Sequence, residues 1–255
     1  MRMGKSVCAL MIGRDGSVGF PKKNVFPVLG RPLAAYPLLA AKASRHVDRI
    51  FVSTDSPGIM ALANEQGAEL IERPAALATK EALGEHVFVH GYHEIRRRLA
   101  DEGQEVELVV LLFANAATIT GDLIDIGIET LRTNDRFDSA VTTSVYNMWS
   151  PIRARKLDES GCLKPFVPFE VFGDPRTLNC DRDSQGDVYF ADMSVSVVRP
   201  RCLERLDEGL LPQKWMGQAI APIPSWGGCD VDYEWQLPMV EFWLRQHGMQ
   251  EPEGR

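Results

Sequence analysis

Short apolar runs alternate with segments of helical period along most of this chain, and that rhythm limits its fold more than any other feature. "VCALMI" (7–12) reads as a first strand and runs straight into a glycine-rich loop. "PLAAYPLLAAKAS" reads as a helix in which Pro37 marks an early turn or a kink. "VDRIFVSTD" is a second strand, and "SPGIMALANEQG" a helix with serine at its start and Gly67 after its end. "AELIE" is a short third strand, "GEHVFVHGYHEIRRRLADEG" an amphipathic helix, and "VELVVLLF" a strand apolar enough for the centre of a sheet. Helix "GDLIDIGIETLRTN" and strand "FDSAVTTSVY" follow. Repeated βαβ units predict an α/β fold, a mainly parallel, Rossmann-like sheet with helices on both faces.

From about Trp149 the texture changes. Residues 150–188 are rich in proline, glycine and charge, and show no helical period. We expect a core of 1–149 and 189–255 interrupted by an inserted arm of 150–188. That arm carries Ile152, Leu163, Phe166, Val167, Phe169, Val171 and Phe172 in a segment too broken to build its own core. Such groups have to be buried elsewhere, and a symmetric partner is the economical solution, so a homodimer is expected. Beyond the arm, "VYFADMSVSVVRP" returns to strand-like alternation and "YEWQLPMVEFWLRQHG" closes as a helix.

Composition narrows the function classes. A net charge of −7 over 255 residues argues against wholesale nucleic-acid binding, though not against a local basic pocket. The five cysteines (Cys8, Cys162, Cys180, Cys202, Cys229) form no CxxC pair, which supports neither a disulfide framework nor a zinc site. No stretch approaches the roughly 18 apolar residues of a membrane span. A cytoplasmic protein without membrane contact is expected.

The first loop, "GRDGSVGFPKKN", carries Gly13, Gly16 and Gly19 beside Arg14, Ser17, Lys22, Lys23 and Asn24. It is neither a Walker A loop nor GxGxxG. Backbone N–H groups freed by the glycines, together with these side chains, could cradle several phosphate oxygens; the same residues also fit a tight turn with solvated lysines. Near the other end, Asp230 and Asp232 in "CDVD" alternate along an extended segment and can share one face. Two carboxylates suit Mg²⁺, a hard cation that shares its oxygen ligands with substrate phosphates.

These segments together carry a resemblance. "GRDGSVGFPKKNVFPVLGRPL", "VDRIFVSTD", "GAELIERPAALAT", "SPIRARKLDESGCLKPF" and "DVDYEWQLPMVEFWL" resemble, in order and over nearly the whole chain, the cytidylyltransferases that activate sialic acids and related sugar acids with CTP. The resemblance implies an α/β nucleotidyltransferase fold of the glycosyltransferase-A-like kind with a dimerisation arm. It also implies transfer of CMP to an acidic acceptor with release of pyrophosphate. Arg14 and Lys23 match the family's phosphate-binding positions, with Ser17 and the backbone at Gly13 and Gly16 beside them. Asn24 matches a base or ribose contact, Arg73 a base-side contact, and the place of Asp230 and Asp232 before the last helix matches a Mg²⁺ site. Arg153 and Arg155 in the arm are candidates to meet the acceptor's negative group, or are simply solvated, and Phe113 is a third candidate for the acceptor pocket.

Departures from the family pattern bear on the acceptor. Val18 stands where the loop usually has a lysine, for which Lys22 could substitute, and Lys80 and Glu81 replace an acidic-then-threonine pair. In "FANAATI", Phe113 and Ile119 stand where the family has glutamine and arginine, while Asn115 remains able to bond nucleotide or acceptor. A smaller, less polar or differently charged acceptor follows: another nonulosonic acid, an octulosonic acid or a phosphonate. Two alternatives stay open: a nucleotidyltransferase using another NTP on a sugar phosphate or alditol phosphate, and a non-catalytic nucleotide-binding homologue. Asp55 is either a site carboxylate or a helix cap. His86, His90 and His93 are expected on a polar helix face rather than on a metal, Arg96 to Arg98 on a solvated one, and the tryptophans in packing, with Trp149 and Trp226 as possible pocket walls.

Overall fold

The computed structural model describes residues 4–16 and 19–252. In chain order the strands are β1 (Gly4–Gly13), β2 (Pro27–Val28), β3 (Arg31–Pro32), β4 (Arg49–Thr54), β5 (Glu69–Glu72), β6 (Gln104–Phe113), β7 (Ser139–Val145), β8 (Arg155–Leu157), β9 (Leu163–Pro165), β10 (Tyr189–Val198) and β11 (Ile220–Ser225). The α-helices are α1 (Ala35–Ala43), α2 (Pro57–Gln66), α3 (Gly84–Asp101), α4 (Gly121–Thr133), α5 (Pro200–Glu204) and α6 (Leu237–Gln246). Pro37 lies in the first turn of α1, where its missing N–H costs nothing.

Seven strands form one sheet in the order β11-β7-β10-β6-β1-β4-β5. β1 pairs in parallel with β4 and β6, β4 with β5, and β7 with β11; β10 alone runs antiparallel, between β6 and β7. The mainly parallel sheet read from the sequence is therefore present. Its continuous apolar runs have a direct cause, since both faces are covered. Val7, Ala9 and Met11 of β1 enter a core shared with α1, α2, α4 and α6. Cys8, Leu10 and Ile12 enter a second core under α3 and α5, and β6 divides its side chains in the same way.

β11 has no counterpart in the sequence reading. Pro222 and Pro224 mask its strand character, yet it is an edge strand paired only with β7, where a missing donor is tolerated. Residues 150–188 hold the small β8/β9 hairpin and several single 3₁₀ turns, with no α-helix. Leu157, Leu163, Phe166 and Val171 of this segment are exposed.

The chain builds β1, β4 and β5 outward to one side, then crosses to β6 on the other side of β1. In such a sheet a crevice opens beyond the carboxyl ends of the strands where the order reverses. The ends of β1 and β6 flank that crevice here.

Candidate active site

The glycine-rich loop leaves β1 at Gly13 where no side chain fits. A Cβ there would lie 2.6 Å from the Ala114 Cβ and 2.7 Å from Ile59 Cδ1. Beyond it the loop is tied down on two sides. The Asp15 N–H donates to Asp55 Oδ1 at the end of β4 (3.1 Å), and Asn24 Nδ2 donates to the Arg14 carbonyl (3.1 Å). Asp55 is thus a tether for the loop rather than the cap of α2, whose N-cap is Ser56. Lys22 takes a left-handed backbone (φ 59°) as the chain enters the 3₁₀ turn Lys23–Val25. Asn24 Oδ1 is buried and has no hydrogen-bond partner among the described residues, an acceptor left open beside the cleft that Asn24 lines.

That cleft, about 200 Å³, gathers Gly13, Arg14, Lys23, Asn24, Arg73 and Asn115. Its apolar wall includes Leu77, Val87 and Phe113. Arg73 follows β5 and reaches back to β4: Nη2 donates to the Ser53 carbonyl and Nε lies 3.4 Å from Ser53 Oγ. Burial holds its pKa below the ordinary arginine value, Asp55 opposes that shift, and the positive charge of Arg14 adds to it. Two guanidiniums that sense one another at the rim of a cleft favour an anion between them.

The carboxylates approach from the segment before α6. The Val231 N–H donates to the Asn115 carbonyl (2.9 Å), and Asn115 Nδ2 returns to the Val231 carbonyl (3.0 Å) and to Asp230 Oδ2 (3.4 Å). Val231 is fully buried, so Asp230 and Asp232 lie on the opposite face of the extended segment. Lys23 Nζ sits 2.6 Å from Asp232 Oδ1, with its side chain only 12% exposed. Desolvation pushes the Asp230 carboxyl above the usual carboxylate range; the charge of Asp232 pushes the same way, against Lys23 and Asn115. Among the described residues no three or more His, Cys, Asp or Glu gather to hold a metal ion. Two oxygen donors from the protein and the rest from phosphates and water is the donor set that suits Mg²⁺, so the residues fit that ion.

Other expected site residues fall elsewhere. Ser17 and Val18 lie outside the described residues. Gly16 lies further out on the loop, in a shallow hollow with Arg14 and Lys22. Arg153 and Arg155 do not reach the cleft. They line a separate cavity of about 340 Å³ inside the arm, where Arg153 Nη2 donates to the Cys180 carbonyl (2.8 Å) and Arg155 lies over the Phe169 ring. Phe113, expected at the acceptor together with them, does line the cleft as part of its apolar wall, and it packs there against Phe88 (5.1 Å) and Trp215 (5.9 Å). Ile119 is buried in the core, so the position where the family has an arginine faces no cleft here. Trp149 stacks on Tyr146 and Trp226 on His247, and neither lines the cleft. His86 and His93 are exposed on α3. Sequence reasoning missed Thr118, which is buried and binds the Cys229 amide (3.0 Å); its signal was its place inside the altered "FANAATI" run.

A family model described as Cytidylyltransferase matches residues 8–142. Over 151 residues the chain is 28% identical to the pseudaminic acid cytidylyltransferase and UDP-2,4-diacetamido-2,4,6-trideoxy-beta-L-altropyranose hydrolase of Helicobacter pylori, covering 59% of this chain and 28% of that protein. It is 36% identical over 80 residues to an N-acylneuraminate cytidylyltransferase of Escherichia coli, covering 31% of this chain and 19% of that one. A 3-deoxy-manno-octulosonate cytidylyltransferase of Bdellovibrio bacteriovorus is 26% identical over 161 residues, covering 63% of this chain and 58% of that protein. The matches thus span less than two thirds of each relative's own length. Among solved structures, a CMP:2-keto-3-deoxy-manno-octonic acid synthetase complexed with CTP superposes with a TM-score of 0.65 at 13% identity, over 95% of this chain and 99% of that one. A 4-diphosphocytidyl-2C-methyl-D-erythritol synthase superposes with a TM-score of 0.64 at 10% identity, over 95% and 100%. Both show the same fold. With the family's model matched from residue 8 to residue 142, the chain belongs to the cytidylyltransferase family.

Proposed function

We propose that this protein transfers CMP from CTP to the hydroxyl or acidic group of a sugar acid, of the nonulosonic or a related class, or of a phosphonate, releasing pyrophosphate with the help of Mg²⁺. One observation carries the reading. A single cleft at the switch point of the sheet holds Arg14, Lys23, Asn24, Arg73 and Asn115, and Lys23 and Asn115 link it to Asp232 and Asp230. The relatives named for pseudaminic acid, N-acylneuraminate and 3-deoxy-manno-octulosonate cytidylyl transfer support an acidic sugar as acceptor.

In this reading an acceptor oxygen attacks the α-phosphorus of CTP. The new P–O bond forms as the bond from the α-phosphorus to the bridging oxygen breaks, pyrophosphate leaves with that electron pair, and the proton of an attacking hydroxyl passes to water. Arg14 and Lys23 bind the phosphates and offset the charge that grows on the leaving group. Arg73 adds positive field from the far rim. Asn24 offers its open Oδ1 to a donor on the nucleotide, the cytosine amino group or a ribose hydroxyl. Asp230 and Asp232 would hold Mg²⁺, which supplies charge neutralisation at the phosphates. Lys23 is paired with Asp232 at 2.6 Å, and in this reading the lysine would bind phosphate while Asp232 would help to hold the cation. The exposed apolar groups of the arm support a homodimer, in which Arg153 and Arg155 would meet the acceptor bound by the partner.

The test is pyrophosphate release with CTP, UTP, GTP and ATP in parallel, each with Mg²⁺ and a panel of nonulosonic acids, octulosonic acids, phosphonates and sugar phosphates. Release with CTP and an acidic acceptor is expected. Release only with another nucleotide and a sugar phosphate would overturn the reading.

A further inference from the structure

The segment that carries Asp230 and Asp232 is held from behind by a buried polar node that the proposed chemistry does not touch. β10 departs from its ladder with β7 between Ala191 and Ser196, with Met193 at a positive φ of 63°. This bulge places Asp192, 2% exposed, behind the segment. Its carboxylate accepts from the Thr142 hydroxyl (2.5 Å), the Ser144 hydroxyl (2.9 Å) and the Ser194 amide (3.2 Å), all of them neutral donors.

From there the bonds run outward to the segment. Ser144 Oγ accepts from the Gly228 amide (3.3 Å). Thr118 Oγ1, 2.8 Å from Ser194 Oγ, accepts from the Cys229 amide (3.0 Å). Gly228 lies directly against the Asp192 carboxyl, and a Cβ at that position would overlap it. Two successive amides immediately before Asp230 are therefore fixed to hydroxyls: Ser144, which bonds Asp192 directly, and Thr118, which is joined to it through Ser194. A carboxylate that only accepts turns the Ser144 proton toward itself, which leaves that hydroxyl's lone pairs for the Gly228 amide. In such buried networks a half-satisfied member costs more than its own bond.

We propose that Asp192, acting through Ser144 and, by way of Ser194, through Thr118, is a positioning residue that sets the place of the Asp230–Asp232 carboxylates at the cleft. It contacts neither nucleotide nor cation. The metal-directed half of this inference rests on the reading of Asp230 and Asp232 given above. Groups that orient metal ligands from behind typically change metal affinity or activity by about 10–100-fold when altered.

The test compares Asp192→Asn, Thr118→Val and Asp232→Asn with the wild-type chain by two readouts. The first is hydrogen–deuterium exchange of the peptide spanning 227–233. The second is Mn²⁺ affinity by electron paramagnetic resonance in the presence of CTP. Asp192→Asn keeps the shape but brings an NH₂ to a site built of donors; Thr118→Val removes one hydroxyl and keeps a folded variant available if the first is unstable. Expected are faster exchange confined to 227–233 in both variants and a Mn²⁺ dissociation constant raised about 10-fold. Unchanged exchange in both variants overturns the proposal. So does loosened exchange with unchanged Mn²⁺ affinity while Asp232→Asn loses binding. If Asp232→Asn binds Mn²⁺ as the wild type does, the metal reading of the site fails, and the exchange data alone decide whether the node holds the segment.

Discussion

At the scale of single residues, the site sets two opposed groups of charge side by side, Arg14 and Lys23 against Asp230 and Asp232. Lys23 is the pivot, since its ammonium is nearly buried and spends its charge on Asp232. Lys23→Ala and Arg14→Ala should each lower kcat about 10²–10³-fold, because a donor aimed at charge that grows in the transition state is worth that much. Thermal melts of both variants should stay near wild type; a variant with wild-type turnover would remove its residue from the phosphate site. Asp230 makes the converse case. Its folded-state pKa is raised by burial and by Asp232. A raised carboxyl pKa adds stability that is fully present below the unfolded value and is lost as pH rises through the folded one. At neutral pH the ionised Asp230 is therefore a cost to the cation-free protein. Asp230→Asn should raise the melting temperature at pH 7 without metal, shrink that gain at acidic pH and reduce turnover; a lowered melting temperature at pH 7 would contradict the burial argument.

At the scale of elements, what the sequence revealed depended on how local the signal was. The β1 and β6 strands were legible because strands buried on both faces carry long apolar runs, β4 and the short edge strand β5 because their apolar residues fall between helical segments in the βαβ rhythm, and α2 because serine and Gly67 mark its ends. β11 was not legible, since prolines at 222 and 224 contradict strand propensity and only the edge position permits them. The cleft was readable residue by residue from its resemblance, as Arg14, Lys23, Asn24, Arg73 and Asn115 are on it. The Asp192 node was not readable, because it joins positions 118, 142, 144, 192, 194 and 228 through a bulge that no periodicity announces. Nor could the sequence separate Phe113 from Arg153 and Arg155, which takes knowledge of where the arm lies. The packing of the first loop yields its own prediction. Gly13→Ala forces a methyl against Ala114 and Ile59 at the end of β1, and should cost about 1–3 kcal/mol by denaturant titration along with most nucleotide binding. An unchanged midpoint would show that the loop can shift away from α2.

At the scale of the whole molecule, the arm is a part that leaves several large apolar side chains uncovered. Leu157, Leu163, Phe166 and Val171 are exposed within it, and Val145, Trp149, Tyr189 and Phe190 are exposed where it joins the core. Removing residues 150–188 and closing the gap with a short glycine–serine linker should give insoluble or monomeric, inactive protein. A soluble, fully active monomer, by light scattering and turnover together, would remove the arm from both assembly and acceptor binding. Among the described residues no helix is long and apolar enough to cross a membrane. The central claim, however, is that the cleft directs attack on the α-phosphorus of CTP. CTP labelled separately at its α- and γ-phosphates, incubated with Mg²⁺ and an acidic sugar that supports pyrophosphate release, tests that claim most directly. The α-label is expected to enter the acceptor and the γ-label to appear in pyrophosphate, with Lys23→Ala slowing both together. Transfer of the γ-label to the acceptor with formation of CDP would contradict it.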